Sequence, residues 1–305
     1  MTSGAILLTA GPILGGPSFD PLESLGFCSA IQRLVRTLQN CGVRHILLSS
    51  TSGKRAELEK HMARWGVLCQ EVPGGASLSA SLRFGLSSMA HTCDRLLVLA
   101  ADIPFLAPST VQALLGSDAP LCRPLVDGAP GGIFSVDRRL FPTLMAEEDL
   151  PSPDAVSRAC GLSFTDIPVA DPGALPDARA KGLFPALLAR SSRDASHVSL
   201  KLRLCRDRPF FGPGTAQLLS LIESTGSIRD ACQQMGLSYS KGRHMIAVME
   251  EELGIPIVLR QQGGHNGGAA SLTEEGKMLI LRFEQLESRC QALVQQAYRE
   301  IFPEL

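Results

Sequence analysis

The stretch Gly226-Ser-Ile-Arg-Asp-Ala-Cys-Gln-Gln-Met-Gly-Leu-Ser-Tyr-Ser-Lys-Gly-Arg-His-Met-Ile246 carries the start and stop signals of two short helices. Ser227, with an acidic residue three positions later, predicts the start of the first helix, because its hydroxyl can accept a hydrogen bond from an exposed amide of the first turn. Gly236 predicts the end of that helix in a left-handed cap. Ser238 or Ser240 then predicts the start of the second helix.

Apolar residues recur every four positions along the second helix, at Met245, Met249 and Leu253, until Gly254 and Pro256 predict its end. Two short helices joined by a tight turn with glycine are typical of a helix-turn-helix, whose second helix enters the DNA major groove with its N-terminal residues against base edges. The residues predicted to lie in the groove are Tyr239, Ser240, Lys241, Arg243 and His244.

Residues 257–260 and 269–272 are predicted to form two strands around the loop Gly263-Gly-His-Asn-Gly-Gly268. A loop this rich in glycine can follow a phosphate backbone closely, as the wing of a winged helix-turn-helix does. Ser227, Arg260 and Asn266 complete the predicted DNA contacts. The alternative is an ordinary helical hairpin beside a hairpin loop, but the order helix, turn, helix, wing, long helix favours the winged motif.

The segment from Phe211-Gly-Pro-Gly-Thr to Leu272-Thr-Glu-Glu-Gly resembles the DNA-binding domain of the molybdate-responsive (ModE) regulators, which is similar to the LysR-type winged helix. Gly226-Ser-Ile, Leu237-Ser-Tyr, the glycine-rich wing and Leu272-Thr-x-x-Gly276 carry the resemblance, which implies double-stranded DNA as a partner. Those regulators sense molybdate through small β domains after the dimerisation helix. The present sequence reaches Leu305 without them, so we expect any small-molecule effector to be sensed elsewhere.

A long last helix is predicted to begin at a cap on Thr273. Its apolar residues are spaced 4, 3, 4, 3 and 4 apart: Leu279, Phe283, Leu286, Cys290, Leu293 and Ala297. This is the heptad period of a seam that two chains can share. Packing against its own domain is the alternative, but the helix outruns a small winged domain, so we predict a homodimer. Its two recognition helices would then read an inverted repeat.

The composition sets limits on partners and location. The chain has 29 basic and 30 acidic residues, so only a local surplus can attract DNA, such as the seven basic against three acidic residues from Lys201 to Arg243. The acidic run 250–252 offsets part of it. The nine cysteines show neither metal-ligand nor disulfide spacing, which indicates reduced thiols. Without a signal sequence or a run of about 18 apolar residues, we predict a soluble, cytoplasmic protein with no membrane contact.

The front of the chain alternates short apolar strands with amphipathic helices. Strands are predicted at 5–10, 45–50, 67–72 and 95–101, and helices at 29–41, 56–65 and 79–90. This alternation predicts an α/β domain with a doubly wound, mostly parallel sheet, whose ligands bind beyond the carboxyl ends of the strands. A mainly α winged helix-turn-helix domain with a long dimerisation helix is predicted to follow.

Three stretches of this part resemble the MobA/MocA-like molybdenum cofactor nucleotidyltransferases, which have the glycosyltransferase-A type of fold. They are Leu7-Leu-Thr-Ala-Gly-Pro with Asp20-Pro-Leu-Glu-Ser-Leu-Gly26, Leu78-Ser-Ala-Ser-Leu-Arg-Phe-Gly-Leu86, and Leu97-Val-Leu-Ala-Ala-Asp-Ile-Pro104. The resemblance implies nucleotide contacts at Ala10, Gly11, Ser79, Ser81 and Arg83, and a Mg²⁺ ligand at Asp102. Arg83 could equally lie on a solvated helix face, and Asp102 could instead cap the following turn.

The opening loop departs from the family pattern. Nucleotidyl transfer needs cations to neutralise charge on the phosphates, yet residues 4–25 contain no Lys or Arg, and the family's lysine falls at Asp20. We therefore assign no catalytic residue. The family often has a late acidic segment, and Asp166, Asp171 or Asp177 could match it; the sequence leaves open which one does.

We therefore predict a nucleotidyltransferase-like domain at 1–189, a linker at 190–199 and the DNA-binding domain at 200–305. The leading hypothesis is a transcriptional regulator of molybdenum or molybdenum cofactor metabolism whose front domain has lost catalysis and senses an effector. The first alternative is an active enzyme that makes a dinucleotide cofactor from nucleotide triphosphate and molybdopterin, with a regulatory DNA-binding domain. The second is a scaffold for cofactor assembly.

Overall fold

The computed structural model of the chain describes residues 2–9, 20–26, 28–51, 53–63, 65–72, 77–176, 182–193, 198, 200–260 and 269–302. They belong to two compact units, residues 1–193 and 194–305, called here the front unit and the back unit. In these described ranges, no helix has both the length and the apolar character that crossing a membrane requires.

The front unit alternates strands and helices for most of its length. Its elements are β1 (Ser3–Leu8), α1 (Ala30–Asn40), β2 (His45–Ser50), α2 (Arg55–His61), β3 (Leu68–Glu71), α3 (Leu78–Met89), β4 (Arg95–Ala100), α4 (Pro108–Leu115), β5 (Leu121–Val126), β6 (Ala129–Pro130), β7 (Ile133–Asp137), α5 (Phe141–Ala146), α6 (Pro153–Ala159), β8 (Thr165–Pro168) and α7 (Phe184–Arg193).

These eight strands form one sheet in the order β3-β2-β1-β4-β7-β5-β6, with β8 beside β5. The strands from β3 to β4 run parallel, β7 is antiparallel to β4 and to β5, and β8 is parallel to β5. The predicted α/β class with a mostly parallel sheet is confirmed. Because β1, β2 and β4 are parallel, their carboxyl ends meet at one edge, and Asp102 follows β4 there.

Helices cover both faces of the sheet, and α3 lies very close to β1. A Cβ atom on Gly85 of α3 would come within 2.2 Å of the Ile6 side chain. Only glycine permits this approach without a shift of the helix or of the Ile6 side chain. The contact at Gly85 therefore allows α3 to lie close against β1.

Two charged side chains, Arg95 and Asp171, are buried inside the described part of the front unit. Arg95, the first residue of β4, is only 1% exposed. Its guanidinium donates to the Ser135 hydroxyl at 3.0 Å, the Ala119 carbonyl at 3.2 Å and the Asp137 carboxylate at 3.3 Å. A buried charge is tolerated when it is paired and hydrogen-bonded in this way, so Arg95 and Asp137 belong to the framework of the sheet.

The back unit consists of short helices, two small hairpins and one long helix. Its elements are β9 (Leu204–Cys205), β10 (Pro209–Phe211), α8 (Pro213–Thr225), α9 (Ile228–Gln234), α10 (Tyr239–Leu253), β11 (Val258–Arg260), β12 (Ala270–Leu272) and α11 (Glu274–Ile301). β9 pairs with β10 and β11 with β12, both antiparallel. We call the β11–β12 pair the wing ribbon.

The core of the back unit joins α8 to the helices around it. Leu218, Leu219 and Ile222 of α8 are completely buried. Phe211 of β10 packs edge-on against Phe283 of α11, with ring centroids 5.1 Å apart. The first half of the long helix is therefore part of this core.

Candidate functional site

The start of α10 is defined by the turn before it. Gly236 has a φ of +63°, which glycine adopts without strain, and it ends α9 as predicted. The Ser238 side chain accepts a hydrogen bond from the amide of Lys241, so Ser238 rather than Ser240 is the cap of α10. The helix therefore begins at Tyr239, and the polar residues predicted for the groove occupy its first two turns.

These first turns present a polar face to solvent. The exposed residues are Tyr239, Ser240, Lys241, Arg243 and His244. The Arg243 guanidinium lies 5.9 Å from the centre of the Tyr239 ring, within the range of a cation–π contact. Such a face offers donors, a hydroxyl-bearing ring and two positive charges to a nucleic acid.

The opposite face of α10 packs on the core through Gly242, Ile246 and Met249. Of the apolar positions predicted from the sequence, only Met249 is fully buried, while Met245 and Leu253 are half-buried. The difference arises because Ile246, which has no place in that pattern of every fourth residue, occupies the centre of the contact.

Close packing between α9 and α10 depends on Gly242. A Cβ atom at this position would come within 2.1 Å of the Cys232 sulfur in α9. Lys241 and Arg243 flank this glycine, so the tight contact fixes the position of the helix backbone from which both cations project. The sequence pattern gave Gly242 no role.

The other three predicted DNA contacts differ in their surroundings. Ser227 is half-buried and caps α9, accepting from the amide of Asp230. Arg260, at the end of β11, is exposed and pairs with Glu250 of α10 at 3.4 Å. Asn266 lies outside the described residues.

The acidic run 250–252, which the sequence suggested would weaken DNA binding, is engaged within the back unit. Glu251 and Glu252 both pair with Arg208 of the β9–β10 hairpin. The Glu250 carboxylate accepts from the amides of Ile257 and Val258. These contacts neutralise much of the negative charge, but they also occupy Arg208, which the sequence counted in the basic surplus.

Two carboxylates at the wing ribbon were not assigned to the interface from the sequence. Glu250 binds the outer edge of β11, and Glu223 of α8 accepts from the Leu272 amide of β12 at 3.1 Å. Neither residue stands in a recognisable motif, because each binds an amide on a different element of the chain. The only sequence signal that could have found them is that both lie on helices predicted next to a short hairpin.

The residues of the predicted dimer seam along α11 differ in how exposed they are. Phe283 is 2% exposed and belongs to the core of its own unit, whereas Leu286 and Leu293 are 41% and 67% exposed. Leu279 and Cys290 are half-buried, and Ala297 is exposed. The later part of the seam therefore carries the exposed leucines.

In the front unit, the α3 residues predicted to contact a nucleotide bind the protein itself. The Ser79 hydroxyl accepts from the Leu150 amide at 2.7 Å, and Arg83 donates to the Glu148 carbonyl at 2.9 Å. Ser81 is completely buried against the hydroxyl of Ser49. Ala10 and Gly11 lie outside the described residues.

The late carboxylates also have clear environments. Asp171 is 2% exposed, and its carboxylate accepts from the Ala107 amide, the Thr110 hydroxyl and the Gly173 amide. Asp166 pairs with Arg123 at 2.7 Å. Asp177 lies outside the part of the chain that the structure describes. Asp171 therefore stabilises the fold by binding the start of α4.

Comparison with known families agrees with this division into units. Residues 216–277 match the lysR family of bacterial regulatory helix-turn-helix proteins, and residues 21–158 match the MobA-like NTP transferase domain. The chain joins a MobA-like domain to a LysR-type helix-turn-helix. The exposed face of α10 thus lies on the DNA-binding motif of a bacterial regulatory family.

Curated relatives match a limited stretch. The chain is 36% identical over 77 residues to the molybdenum-pterin-binding protein MopB of Rhodobacter capsulatus, and 34% identical over 76 residues to the molybdenum transport protein ModE of Azotobacter vinelandii. Each match covers 25% of this chain and 28% of the relative. The chain thus spans little more than a quarter of the length of these relatives.

Among solved structures, the chain is similar to Rv0371c of Mycobacterium tuberculosis in complex with manganese, with a TM-score of 0.48, 18% identity, and coverage of 62% of this chain and 97% of that one. It is also similar to a nucleotidyl transferase from Methanothermobacter, with a TM-score of 0.49, 16% identity, and coverage of 63% and 99%.

Whether Mg²⁺ fits the MobA-like domain can be judged at the carboxyl edge of its sheet. Asp102 is half-buried after β4, and within the described ranges no three His, Cys, Asp or Glu side chains form a group that could hold a metal. Mg²⁺ is commonly held by one or two carboxylates together with substrate phosphates. Mg²⁺ binding at Asp102 therefore stays a prediction, in which a bound nucleotide would supply the other ligands.

Proposed function

We propose that this chain is a transcriptional regulator of molybdenum or molybdenum cofactor metabolism, acting in the cytoplasm as a DNA-bound homodimer. The observation that carries the proposal is the exposed face of α10, where Lys241 and Arg243 project from the first two turns of a capped helix that packs tightly beneath them. That is the part of a recognition helix that meets base edges and phosphates.

The link to molybdenum rests on the similarity to MopB and ModE, whose names refer to molybdenum pterin and molybdenum transport. The MobA-like domain in the same chain supports the link independently, because its family resemblance concerns the molybdenum cofactor. A regulator that carries both features would control genes for molybdate uptake or for cofactor assembly.

The homodimer is supported by α11. Its 28 residues extend over about 42 Å at 1.5 Å per residue, and Leu286 and Leu293 expose apolar surface beyond the core contact of Phe283. A second copy of the same helix would cover these leucines in a heptad seam. Leu293→Glu should halve the molar mass measured by light scattering, whereas Leu162→Glu, which alters an exposed leucine of the front unit, should not. A dimer unaffected by Leu293→Glu would place the interface elsewhere.

Sequence selection tests the proposed function as a whole. The full chain is incubated with a library of random duplexes, and the retained DNA is sequenced. We expect an inverted repeat with half-sites about 34 Å apart, one DNA turn, because two related recognition helices read two related half-sites. Recovery of no preferred sequence, or of a single half-site, contradicts the dimeric regulator.

The MobA-like domain is proposed to sense a small-molecule effector, with a nucleotide, a pterin or a cofactor intermediate as the chemical classes. Support comes from the family match together with the lack of Lys and Arg in residues 4–25, which favours binding without turnover. The single tryptophan, Trp65, lies in this domain. An effector that binds the folded domain should raise the unfolding temperature reported by tryptophan fluorescence.

An active cofactor nucleotidyltransferase is the second candidate, favoured by the match of residues 21–158 to the MobA-like NTP transferase domain. Release of pyrophosphate from a nucleotide triphosphate with Mg²⁺ and molybdopterin is the direct assay, and Asp102→Ala should abolish it. In the folded chain Asp20 accepts from the Leu22 amide at 3.0 Å as a turn cap. If the enzyme hypothesis is right, Asp20→Lys should raise the rate by restoring the cation.

A further inference from the structure

The wing ribbon is too small to hold its own position. Within the described part of the chain each of its strands has three residues, and an isolated two-stranded hairpin is marginally stable in water. Contacts to the helices must therefore fix the ribbon. Those contacts decide where Arg260, the last residue of β11, stands relative to α10.

The base of the ribbon is held at both outer edges by carboxylates. Val258 and Leu272 face each other across the two strands, and the amide of Thr273 donates to the Ile257 carbonyl at 2.9 Å. This pattern makes Val258 and Leu272 a pair without mutual hydrogen bonds, so their amides point away from the partner strand. Glu250 binds the first of these amides and Glu223 the second.

Glu250 differs from Glu223 because it lies on α10 itself. One of its carboxylate oxygens accepts from the amides of Ile257 at 2.9 Å and Val258 at 3.0 Å. The other oxygen pairs with the Arg260 guanidinium at 3.4 Å. Hydrogen bonds from backbone amides to a carboxylate are stronger than those between neutral groups. A single side chain therefore ties both the backbone of β11 and its terminal cation to the helix that carries Lys241 and Arg243.

The ion pair leaves Arg260 available for a phosphate. Its side chain remains 43% exposed while that of Glu250 is only 23% exposed, so the cation is on the solvent side of the pair. A guanidinium has five N–H donors in a fixed plane, and the contact with Glu250 engages one nitrogen. The carboxylate thus orients the remaining donors.

We propose that Glu250 is a positioning residue that fixes Arg260 and the base of the wing ribbon to the recognition helix, so that helix and ribbon approach DNA as one element. The inference rests on the proposed DNA binding of the back unit. It assigns Glu250 an indirect role, in which the residue acts on DNA through Arg260.

Glu250→Gln is the informative variant. Glutamine retains an oxygen for the two amides but removes the charge that holds Arg260. Glu251→Gln is the matched control, because it removes the same charge from the next position of α10, where the side chain is 73% exposed and pairs with Arg208 instead. Both variants bring the same change in net charge close to DNA. Any difference between them in DNA affinity therefore comes from the position of Arg260 and the wing ribbon.

The readout is duplex affinity of the full chain as a function of salt concentration, measured for five proteins: wild type, Glu250→Gln, Glu251→Gln, Arg260→Gln and the double variant Glu250→Gln/Arg260→Gln. We expect the salt dependence to become shallower by about one phosphate contact per protomer in Glu250→Gln and in Arg260→Gln. The double variant should lose no more DNA affinity than either single variant, since both substitutions remove the same phosphate contact. Glu251→Gln should keep the full salt dependence.

Three results would overturn the inference. Glu250→Gln could behave like Glu251→Gln, it could strengthen binding by releasing Arg260, or its loss could add to that of Arg260→Gln. Each would be seen in a wild-type chain that binds duplex DNA, which separates them from failure of the proposed function. If the wild-type chain does not bind duplex at all, both proposals fall together.

Discussion

The two helices that carry the predicted ligand contacts, α3 in the front unit and α10 in the back unit, differ in what their polar residues touch. On α3, Ser79, Ser81 and Arg83 bind other parts of the same unit. On α10, Lys241 and Arg243 project into solvent from a helix held by buried packing. Both helices begin with a serine cap and both carry polar residues in their first turns. On α3 only Arg83 of these three is exposed, and it donates to the Glu148 carbonyl, whereas the whole polar face of α10 is exposed.

The same contrast holds for carboxylates. Asp171 and Asp137 of the front unit are bound to amides, hydroxyls or a buried arginine. Polar groups that are satisfied inside a fold contribute to its stability, because removing them leaves buried partners without hydrogen bonds. We therefore expect substitutions of these front-unit residues to change stability, and substitutions of the exposed α10 residues to change DNA affinity.

The largest effect is expected at Asp171. Asp171→Ala removes the acceptor of three buried hydrogen bonds and should destabilise the front unit by about 4–5 kcal/mol, at about 1.5 kcal/mol for each bond to a charged group. Denaturant unfolding followed by Trp65 fluorescence measures it. Asp166→Ala is the control, since its exposed pair with Arg123 should contribute no more than about 1 kcal/mol. If Asp171→Ala left stability unchanged but weakened Mg²⁺ binding in the presence of nucleotide, Asp171 would be a ligand instead.

The next effect concerns Asp137 and depends on pH. Burial acts to raise the pKa of the Asp137 carboxyl, but hydrogen bonds from Arg139 and the charges of Arg139 and Arg95 outweigh it, so the pKa lies below its ordinary value of 3.8. A lowered pKa means that the carboxylate stabilises the folded unit fully above that ordinary value, and that this stability is lost as the pH falls through the lowered pKa.

Asp137→Ala should therefore cost about 3 kcal/mol at pH 7, because it leaves the Arg95 charge buried without its carboxylate. The difference in unfolding free energy between wild type and variant should shrink as the pH falls from 5 towards 2. Trp65 fluorescence at several pH values provides the measurement. A difference that stays constant over this range would mean that the charge of Asp137 is not what stabilises the unit.

A smaller effect is expected where packing orients the α10 cations. Gly242→Ala places a methyl group against Cys232 and should destabilise the back unit by about 2 kcal/mol through overpacking. Removing the opposing sulfur in the double variant Gly242→Ala/Cys232→Ala should restore much of the loss. Gly214→Ala is the control, because a Cβ there has open space around it. The heat-induced transition seen by circular dichroism reports the change.

If Gly242→Ala were as stable as wild type and bound DNA equally well, the contact between α9 and α10 would not fix the recognition helix. Weaker DNA binding at unchanged stability would instead indicate that a small shift of α10 is enough to misplace Lys241 and Arg243. Helix α3 shares this feature, since Gly85 makes a similarly close contact with Ile6, so the two helices differ in what their polar residues contact and not in how they pack.

Much of this organisation could be predicted from local signals. The caps at Ser227, Ser238 and Thr273 and the left-handed glycine at Gly236 all lie where the sequence indicates, since capping depends on residues within one turn. The buried strands β1, β2 and β4 are also evident from their apolar runs. Helix α2 ends at His61, earlier than its apolar pattern suggests.

Contacts between distant residues could not be predicted in this way. Nothing near Asp171 in sequence indicates that Ala107 and Thr110 will bind it, and nothing near Glu250 distinguishes it from the two acidic residues that follow. Phe283 fits the heptad seam as well as Leu293 does, but Phe211 from β10 draws it into the core of its own unit. Periodicity identifies an apolar face, while the fold decides what covers it.

The central claim is that α10 meets DNA while the polar residues of α3 serve the front unit, and one comparison of arginine and lysine variants tests it directly. Duplex affinity and salt dependence are measured for wild type, Lys241→Ala/Arg243→Ala, and Arg83→Ala, with the unfolding temperature of each. The α10 variant should bind at least about tenfold more weakly, with an unchanged unfolding temperature. The slope of log affinity against log salt concentration should become shallower by about one for each lost phosphate contact. Arg83→Ala should bind DNA like wild type. Equal affinity of all three proteins, or no duplex binding by wild type at low salt, would contradict the account.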